Sequence, residues 1–399
     1  MESVPGANTV GDRAWSVYVT LAFVSVSFSV TGPVAIIMAA AREAGLSVQQ
    51  TSSWLFAALA VNGLSSVVIS WKTRQPLLFL WTIPGTVLVA PVVAQYGLGA
   101  AVGTYLVCAL VLVVLGATNI VSLLDRWVPM PIVMAMIAAL FVRYAVDILH
   151  ASVGAPWLGA AMLGAFFVLT WLETRGTCPV PPIIGSMLAG AAALAIGGFS
   201  MPVGGHAVWL ATPGFVTPTL DVHALTQLVV PMLITILFVQ NAQGMAMLRA
   251  AGYRTSLRMV TIASGVLTAL TGPFGACPSV LAGPCNAILV SGGKLGRHYV
   301  AAVLAGVMFI AIGLFSTAYA HLLTSLPAAF VTILAGLAML RVLEKAFVAA
   351  FSSRLPLSAL VVFVVALGDV TFAGIGAAFW GVLAGCCVRY TLERTQETA

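Results

Sequence analysis

The chain has 399 residues, 61% of them hydrophobic and 7% charged, with a net charge of +6 and a mean hydropathy of +1.09. A soluble domain carries about a quarter charged residues, so this composition excludes a soluble enzyme or binding module and indicates a polytopic membrane protein. The positive balance follows the membrane loops, so it does not signal nucleic acid; the six Cys and five His show no metal-ligand or disulfide spacing. No cofactor, metal or nucleic-acid partner is expected.

Residues 1–12 are polar and slightly acidic, without the basic flank of a signal peptide, and read as a short cytoplasmic tail. Fourteen apolar segments follow, at about 15–40, 49–70, 77–96, 98–120, 129–149, 155–172, 180–198, 223–247, 259–275, 278–291, 299–319, 327–343, 356–368 and 371–390. Their connections are short except for 199–222, whose Gly204-Gly205, Pro213-Gly214 and Pro218 suggest an ordered link between two halves. If the N-terminus is cytoplasmic and the spans alternate, fifteen of the seventeen Lys and Arg fall inside, and only Arg42 and Arg143 fall toward the outside. That bias supports both the span count and an orientation with both termini in the cytoplasm.

The halves resemble each other. Met38, Arg42 and Gly45 match Met245, Arg249 and Gly252 at an offset of 207; Pro84 matches Pro284 at 200; Pro129 and Arg143 match Pro327 and Arg341 at 198. An ordered series of this kind is what an internal duplication leaves. Seven spans per copy is an odd number, so the second copy enters the membrane from the opposite side. The expected fold is all-α, with 14 transmembrane segments as a 7+7 inverted repeat: 13–198, a connecting loop 199–222, and 223–391.

The third and tenth segments each carry a Pro beside a Gly at the centre: Pro84-Gly85 in LLFLWTIPGTVLVAPVVAQY and Gly283-Pro284 in PSVLAGPCNAILVS. Pro breaks a helix from its N-terminal side yet suits the first turn of a new one, so each segment reads as an extended lead followed by a half-length helix. Irregular backbone at mid-membrane depth is tolerated where it is buried in protein or lines a cavity, and a matched pair of breaks marks a transporter's substrate site. Two half-helix N-termini facing each other offer free N–H groups and positive dipole ends to a small anion. Around them lie Trp81, Thr82, Pro84, Gly85 and Thr86, and Ser279, Gly283, Pro284, Cys285 and Asn286; Gln240, Asn241 and Gln243 form the densest uncharged polar cluster, on the eighth segment. No Asp or Glu lies near either break, so no proton carrier is evident in the sequence. Small-residue pairs such as Gly99 with Gly103 and Gly381 with Gly385 are expected to let helices approach closely.

The runs LLFLWTIPGTVLVA, LFVQNAQGMAMLRAAGY, TGPFGACPSVLAGPCNAI and TFAGIGAAFWGVLAG resemble the benzoate/proton symporter (BenE-type) family of bacterial inner-membrane transporters over essentially the whole chain. More distantly the chain looks like the uracil and nucleobase-ascorbate transporters and the sulfate and bicarbonate transporters. The resemblance implies a core domain (13–120 plus 223–319) and a gate domain (121–198 plus 320–391), broken third and tenth spans, and substrate held between the domains, often in a homodimer. It also places Pro84, Gly85, Thr86, Gln240, Asn241, Gln243, Gly283, Pro284, Cys285 and Asn286 at the site. The nucleobase branch has carboxylates on the eighth and tenth spans where this chain has amides, Pro and Cys, which argues against a nucleobase and is compatible with an anionic substrate that a fixed carboxylate would repel. The expected function is import of benzoate or a related aromatic carboxylate with a proton. Alternatives are a carrier or channel for another small anion, or a nucleobase carrier, on the same fold.

Overall fold

The computed structural model describes residues 7–118, 129–176, 180–199, 209–352, 354–368, 372 and 377–393, with backbone alone for 7–14. Arg126, Cys178, Gly204, Gly205, His206, Asp369 and Arg394 lie outside the described residues.

The apolar segments become helices in the expected order. They are α1 (Ala7–Glu43), α2 (Val48–Phe56) running through a π-helical stretch (Ala57–Val61) into α3 (Asn62–Thr73), strand β1 (Phe79–Trp81), α4 (Ile83–Thr118), α5 (Met130–Gly154), α6 (Pro156–Thr174) and α7 (Pro182–Ile196). The second half gives α8 (Val222–Ile234) running through another π-helical stretch (Thr235–Asn241) into α9 (Ala242–Ala250), then α10 (Leu257–Thr271), strand β2 (Ser279–Leu281), α11 (Gly283–Leu289), α12 (His298–Leu314), α13 (Ser316–Ser325), α14 (Ala328–Phe351), α15 (Pro356–Leu367) and α16 (Ala377–Val388). Among the described residues seven helical runs are each long and apolar enough to cross a bilayer, and α12 with α13 makes an eighth if taken as one bent span.

Helix starts follow local chemistry. Ser47 and Gln50 form a capping box at α2, and the Asp221 carboxylate accepts the Ala224 N–H at 2.9 Å at α8. Helices α6, α7 and α15 begin at a Pro, whose missing N–H costs nothing there. The buried Glu393 carboxylate accepts the Leu357 and Ser358 N–H groups (2.9 and 3.0 Å) at the start of α15, complementing that helix dipole.

Three details differ from expectation. Helix α1 already starts at Ala7, inside the segment read as a tail. The eleventh segment does not continue straight to 319 but bends by 68° at Phe315. There the Leu314 carbonyl accepts the Ala211 N–H at 2.7 Å, while Ser316 and Thr317 turn their hydroxyls toward Ser52 at 3.2 and 2.8 Å. Finally, Gly99 and Gly103 do not receive a helix. A Cβ on Gly103 would stand 2.1 Å from the Thr219 carbonyl, so the pair admits the extended end of the connecting loop, whose Thr219 N–H bonds Gly99 O at 3.0 Å. Gly381 and Gly385, in contrast, do face a helix, meeting Val362 and Ser358 of α15.

Packing sorts the helices into two sets. Helices α4, α8 and α10 lie together, as do α3 and α12, and α1 reaches α4, α11 and α12. In the other set α5 and α14 pack along each other, joined by α15 and α16, while α6 packs on α7. Helix α1 touches both sets: a Cβ on Gly32 would lie 2.7 Å from the Ala338 Cβ of α14, so the two helices meet nearly backbone to backbone.

Candidate functional site

The two breaks meet as a short antiparallel ladder in the middle of the molecule. Phe79 pairs with Leu281, Leu80 with Val280 and Trp81 with Ser279. A shift of 200 residues exchanges the first pair with the last and keeps Leu80–Val280 at the centre. The flanking bonds, Thr82 N–H to Pro278 O (2.9 Å) and Ala282 N–H to Leu78 O (3.0 Å), exchange in the same way.

Two strands of three residues cannot satisfy their own outer edges, and no water reaches a buried edge, so side chains must supply partners. On the β1 side the Ser66 and Ser70 hydroxyls of α3 accept the Phe79 and Leu77 N–H groups at 2.9 and 3.0 Å. Asn286 closes the end of the ladder beside Leu78: its Oδ1 accepts the Leu78 N–H at 3.1 Å, and its Nδ2 donates to the carbonyls of Leu78 and Ala282 at 3.0 and 2.8 Å. On the β2 side the Asn241 Oδ1 accepts the Leu281 N–H at 2.9 Å and its Nδ2 donates to Ser264 Oγ at 3.1 Å. Thr268 Oγ1 accepts the Ser279 N–H at 3.0 Å, and Ser279 Oγ donates to Asn62 Oδ1 at 2.8 Å.

Each strand then turns into its helix. At α4 the Thr82 hydroxyl accepts the Gly85 N–H at 3.2 Å, and Thr86 Oγ1 bonds back to the Thr82 carbonyl at 2.9 Å. Gly85 allows this turn to press on Met232, whose Sδ would lie 2.6 Å from an added Cβ. Helix α4 continues to Gly97, where φ of +82° breaks it as the sequence suggested. At α11 the corresponding residue is Ala282, and no side chain caps the helix. A Cβ on Gly283 would stand 2.7 Å from Gln243 Cγ, so this glycine admits the half-buried Gln243 against the break.

A cavity of about 20 Å³ opens between the two helix starts, α1 and the second π-helical stretch, lined by Phe28, Ser29, Pro33, Leu80, Trp81, Ile83, Gln240, Ala282, Pro284 and Cys285. It has room for about one water. Among the described residues the buried Trp81 Nε1 has no hydrogen-bond partner and the buried Gln240 makes no side-chain hydrogen bond. Ser29 spends its hydrogen on the Ser25 carbonyl at 3.0 Å and lies 3.1 Å from Cys285 Sγ, which makes the thiol the donor to Ser29. Pro33 brings no N–H, so the Ser29 carbonyl, four residues back, lacks its helical partner beside the cavity. The π-helical stretch ends at Gln240 and Asn241. Its wider turn sends these neighbours to different tasks, Gln240 to the cavity and Asn241 to the strand edge.

Of the thirteen residues expected at the site, Trp81, Gln240, Pro284 and Cys285 line the cavity. Thr82, Gly85 and Thr86 shape the first turn of α4, Pro84 opens it, and Gly283 and Gln243 pack against each other at the second break. Asn241 and Asn286 hold the strands with their amides, and Ser279, within β2, spends its hydroxyl on Asn62. The sequence reading missed Phe28, Ser29 and Pro33 of α1, and two polar ladders, Asn62, Ser66, Ser70 and Ser264, Thr268, Thr271. A signal was present: in each ladder polar residues recur every three or four positions within an apolar helix, a stripe that must find partners inside protein.

The sequence pattern of the family described as "Benzoate membrane transport protein" matches residues 14–391. The chain is 28% identical over 369 residues to "Inner membrane protein YdcO" of Escherichia coli K12, covering 91% of this chain and 92% of that one. It is 26% identical over 392 residues to the "Benzoate membrane transport protein" of Acinetobacter baylyi, covering 96% and 97%. Among solved structures it is similar to the transmembrane domain of the cyanobacterial bicarbonate transporter BicA (TM-score 0.64, 13% identity, 94% of this chain and 97% of that one). It is likewise similar to SLC26A9 (TM-score 0.64, 12% identity, 96% and 66%). These likenesses extend the helical membrane architecture to a known transporter fold, and the family match runs through both broken spans; the chain belongs to the benzoate membrane transport protein family, and is a multi-pass membrane transporter rather than an enzyme.

Proposed function

We propose that the protein imports benzoate or a closely related aromatic carboxylate together with a proton, by alternating access across a bacterial inner membrane. The observation that carries this reading is the cavity between the two breaks, where the buried Trp81 Nε1 and the Gln240 amide are hydrogen-bonding groups without a partner among the described residues. A buried donor left open in a folded protein marks a place for water or ligand. A carboxylate there accepts from Trp81 and Gln240 and meets the uncapped start of α11, while Phe28, Leu80 and Ile83 offer the ring an apolar wall. A proton carried with the anion makes the moving complex neutral and lowers the cost of holding charge inside the membrane.

Residues 13–198 and 223–391 are read as inverted copies of seven spans each, with the core formed by 13–120 plus 223–319 and the gate by 121–198 plus 320–391. The exchange symmetry of the strand ladder supports this, as do the matching extended residues Pro129 and Pro327 before α5 and α14. Both termini lie in the cytoplasm on the charge distribution, and the protein works as a homodimer. The cavity is too small for an aromatic acid, so binding requires the core to move against the gate; the close contact of Gly32 with Ala338 is a surface on which they can slide. The same small volume favours one second reading, a small inorganic anion as substrate.

Uptake of labelled benzoate into proteoliposomes tests the proposal, with an inward proton gradient and again with that gradient collapsed. Saturable uptake that falls on collapse, above protein-free vesicles, is expected. Saturable uptake indifferent to the gradient removes the proton, and no benzoate uptake with saturable uptake of an inorganic anion establishes the second reading.

A further inference from the structure

A groove of about 540 Å³ runs between α3 and α10, away from the candidate substrate cavity. Its walls are apolar, including Val68, Ile69, Ile262 and Val266, and its end is formed by Lys72 and Thr73 at the close of α3 with Ser256 and Arg258 at the opening of α10. Leu64, Val68 and Trp71 of α3 and Val266 and Leu270 of α10 are exposed around it, as expected of a surface that faces lipid. Neither Lys72 nor Arg258 forms an ion pair or side-chain hydrogen bond with a described residue. The Thr73 hydroxyl donates to the Ile69 carbonyl at 2.8 Å, whereas Ser256 Oγ accepts the Met259 N–H and keeps its own hydrogen. Two unpaired cations with the Ser256 hydroxyl, at one end of an apolar trough, complement a phosphate head attached to an acyl chain.

We propose that this groove binds an anionic phospholipid, its phosphate between Lys72 and Arg258 and one acyl chain along Val68, Ile262 and Val266. The site lies on the two helices that hold the strand ladder: Ser66 and Ser70 on α3 hold β1, and Thr268 on α10 holds β2. A lipid seated between them braces that pair from the membrane side. On the orientation proposed above this end of the groove faces the cytoplasmic leaflet, but the recognition chemistry rests on neither that orientation nor the substrate.

The test is native mass spectrometry of the delipidated full chain titrated with phosphatidylglycerol or phosphatidylethanolamine of identical acyl chains. A cation at a membrane surface contributes about fivefold to anionic-lipid binding, so phosphatidylglycerol is expected to bind at least about tenfold tighter, and K72Q/R258Q to remove that excess. Ala263→Phe, which fills the trough, lowers binding of both lipids. Thermal unfolding of the unmodified chain gives a second arm, with phosphatidylglycerol raising the midpoint more than phosphatidylethanolamine. Equal binding of the two lipids, a preference untouched by K72Q/R258Q, or displacement of phosphatidylglycerol by millimolar inorganic phosphate overturns the proposal. A dimer lost on Ala263→Phe with lipid binding unchanged assigns the groove to a second copy and overturns it too. None of these readouts involves benzoate transport, so the outcome is separate from that of the proposed function.

Discussion

At the first break the Thr82 hydroxyl accepts the Gly85 N–H, and α4 then runs from Ile83 to the bend at Gly97. At the second break Ala282 holds the same place, nothing caps α11, and the helix stops after Leu289. The same strand ladder thus feeds two helix starts of opposite character. One has its polar groups spent inside the protein; the other leaves first-turn N–H groups open, beside Trp81, Gln240 and Cys285. Two breaks on one ladder can share a scaffold and divide its work: the first break builds a wall and lends Trp81 to the cavity, and the second leaves its helix start without a side-chain cap.

Substitutions can break this comparison. The largest effect is expected where the shared scaffold is cut. Asn286→Leu leaves the buried Leu78 N–H without an acceptor, and Asn241→Leu does the same to Leu281, each costing about 3 kcal/mol. The readout is thermal unfolding in detergent; a wild-type midpoint with lost substrate binding would instead move these amides into the site. Next, Ala282→Thr copies the first break onto the second. On the proposed function a hydroxyl that caps α11 competes with a bound carboxylate, so benzoate affinity measured by calorimetry should fall about tenfold while the unfolding midpoint holds or rises. Unchanged affinity would mean that the uncapped start plays no part in binding.

Trp81→Phe removes the unpartnered N–H and keeps an aromatic ring, and a loss of about fivefold in affinity at an unchanged midpoint is expected. Equal affinity would show that the indole only packs. The smallest effect belongs to Thr82→Ala, which uncaps α4 at a cost of about 1 kcal/mol in stability, seen as a lower unfolding midpoint. If affinity falls more than stability, the first break shares in binding and the asymmetry drawn between them fails.

The breaks themselves were legible because Pro and Gly act locally: Pro84 and Pro284 sit in the first turns of their helices, and Gly97 takes the positive φ that ends the half-helix before it. Asn241 and Asn286 were legible as polar residues with business at the breaks, but their work was not. An amide two residues past a proline can face a cavity or a strand edge, and the π-helical stretch that parts Gln240 from Asn241 leaves no mark in periodicity. The contribution of α1 was hidden for a related reason. Ser29 and Pro33 lie more than two hundred residues from Cys285, and only packing brings them to 3.1 Å between Ser29 Oγ and Cys285 Sγ. The bend at Phe315 depends on a bond to Ala211, and Gly103 on the approach of Thr219, both set by the path of the connecting loop.

The sequence by itself determined that the chain lives in a membrane, where its helical segments lie, and where two of them break. Composition, hydropathy and the rigid ring of proline act over a few residues and need no partner to take effect. Tertiary structure decided which polar groups are spent and which remain open. A hydrogen bond is satisfied by whatever lies within about 3 Å, so Asn286 becomes a clamp, Thr82 a cap, and Trp81 an open donor only once the two halves have closed around the ladder.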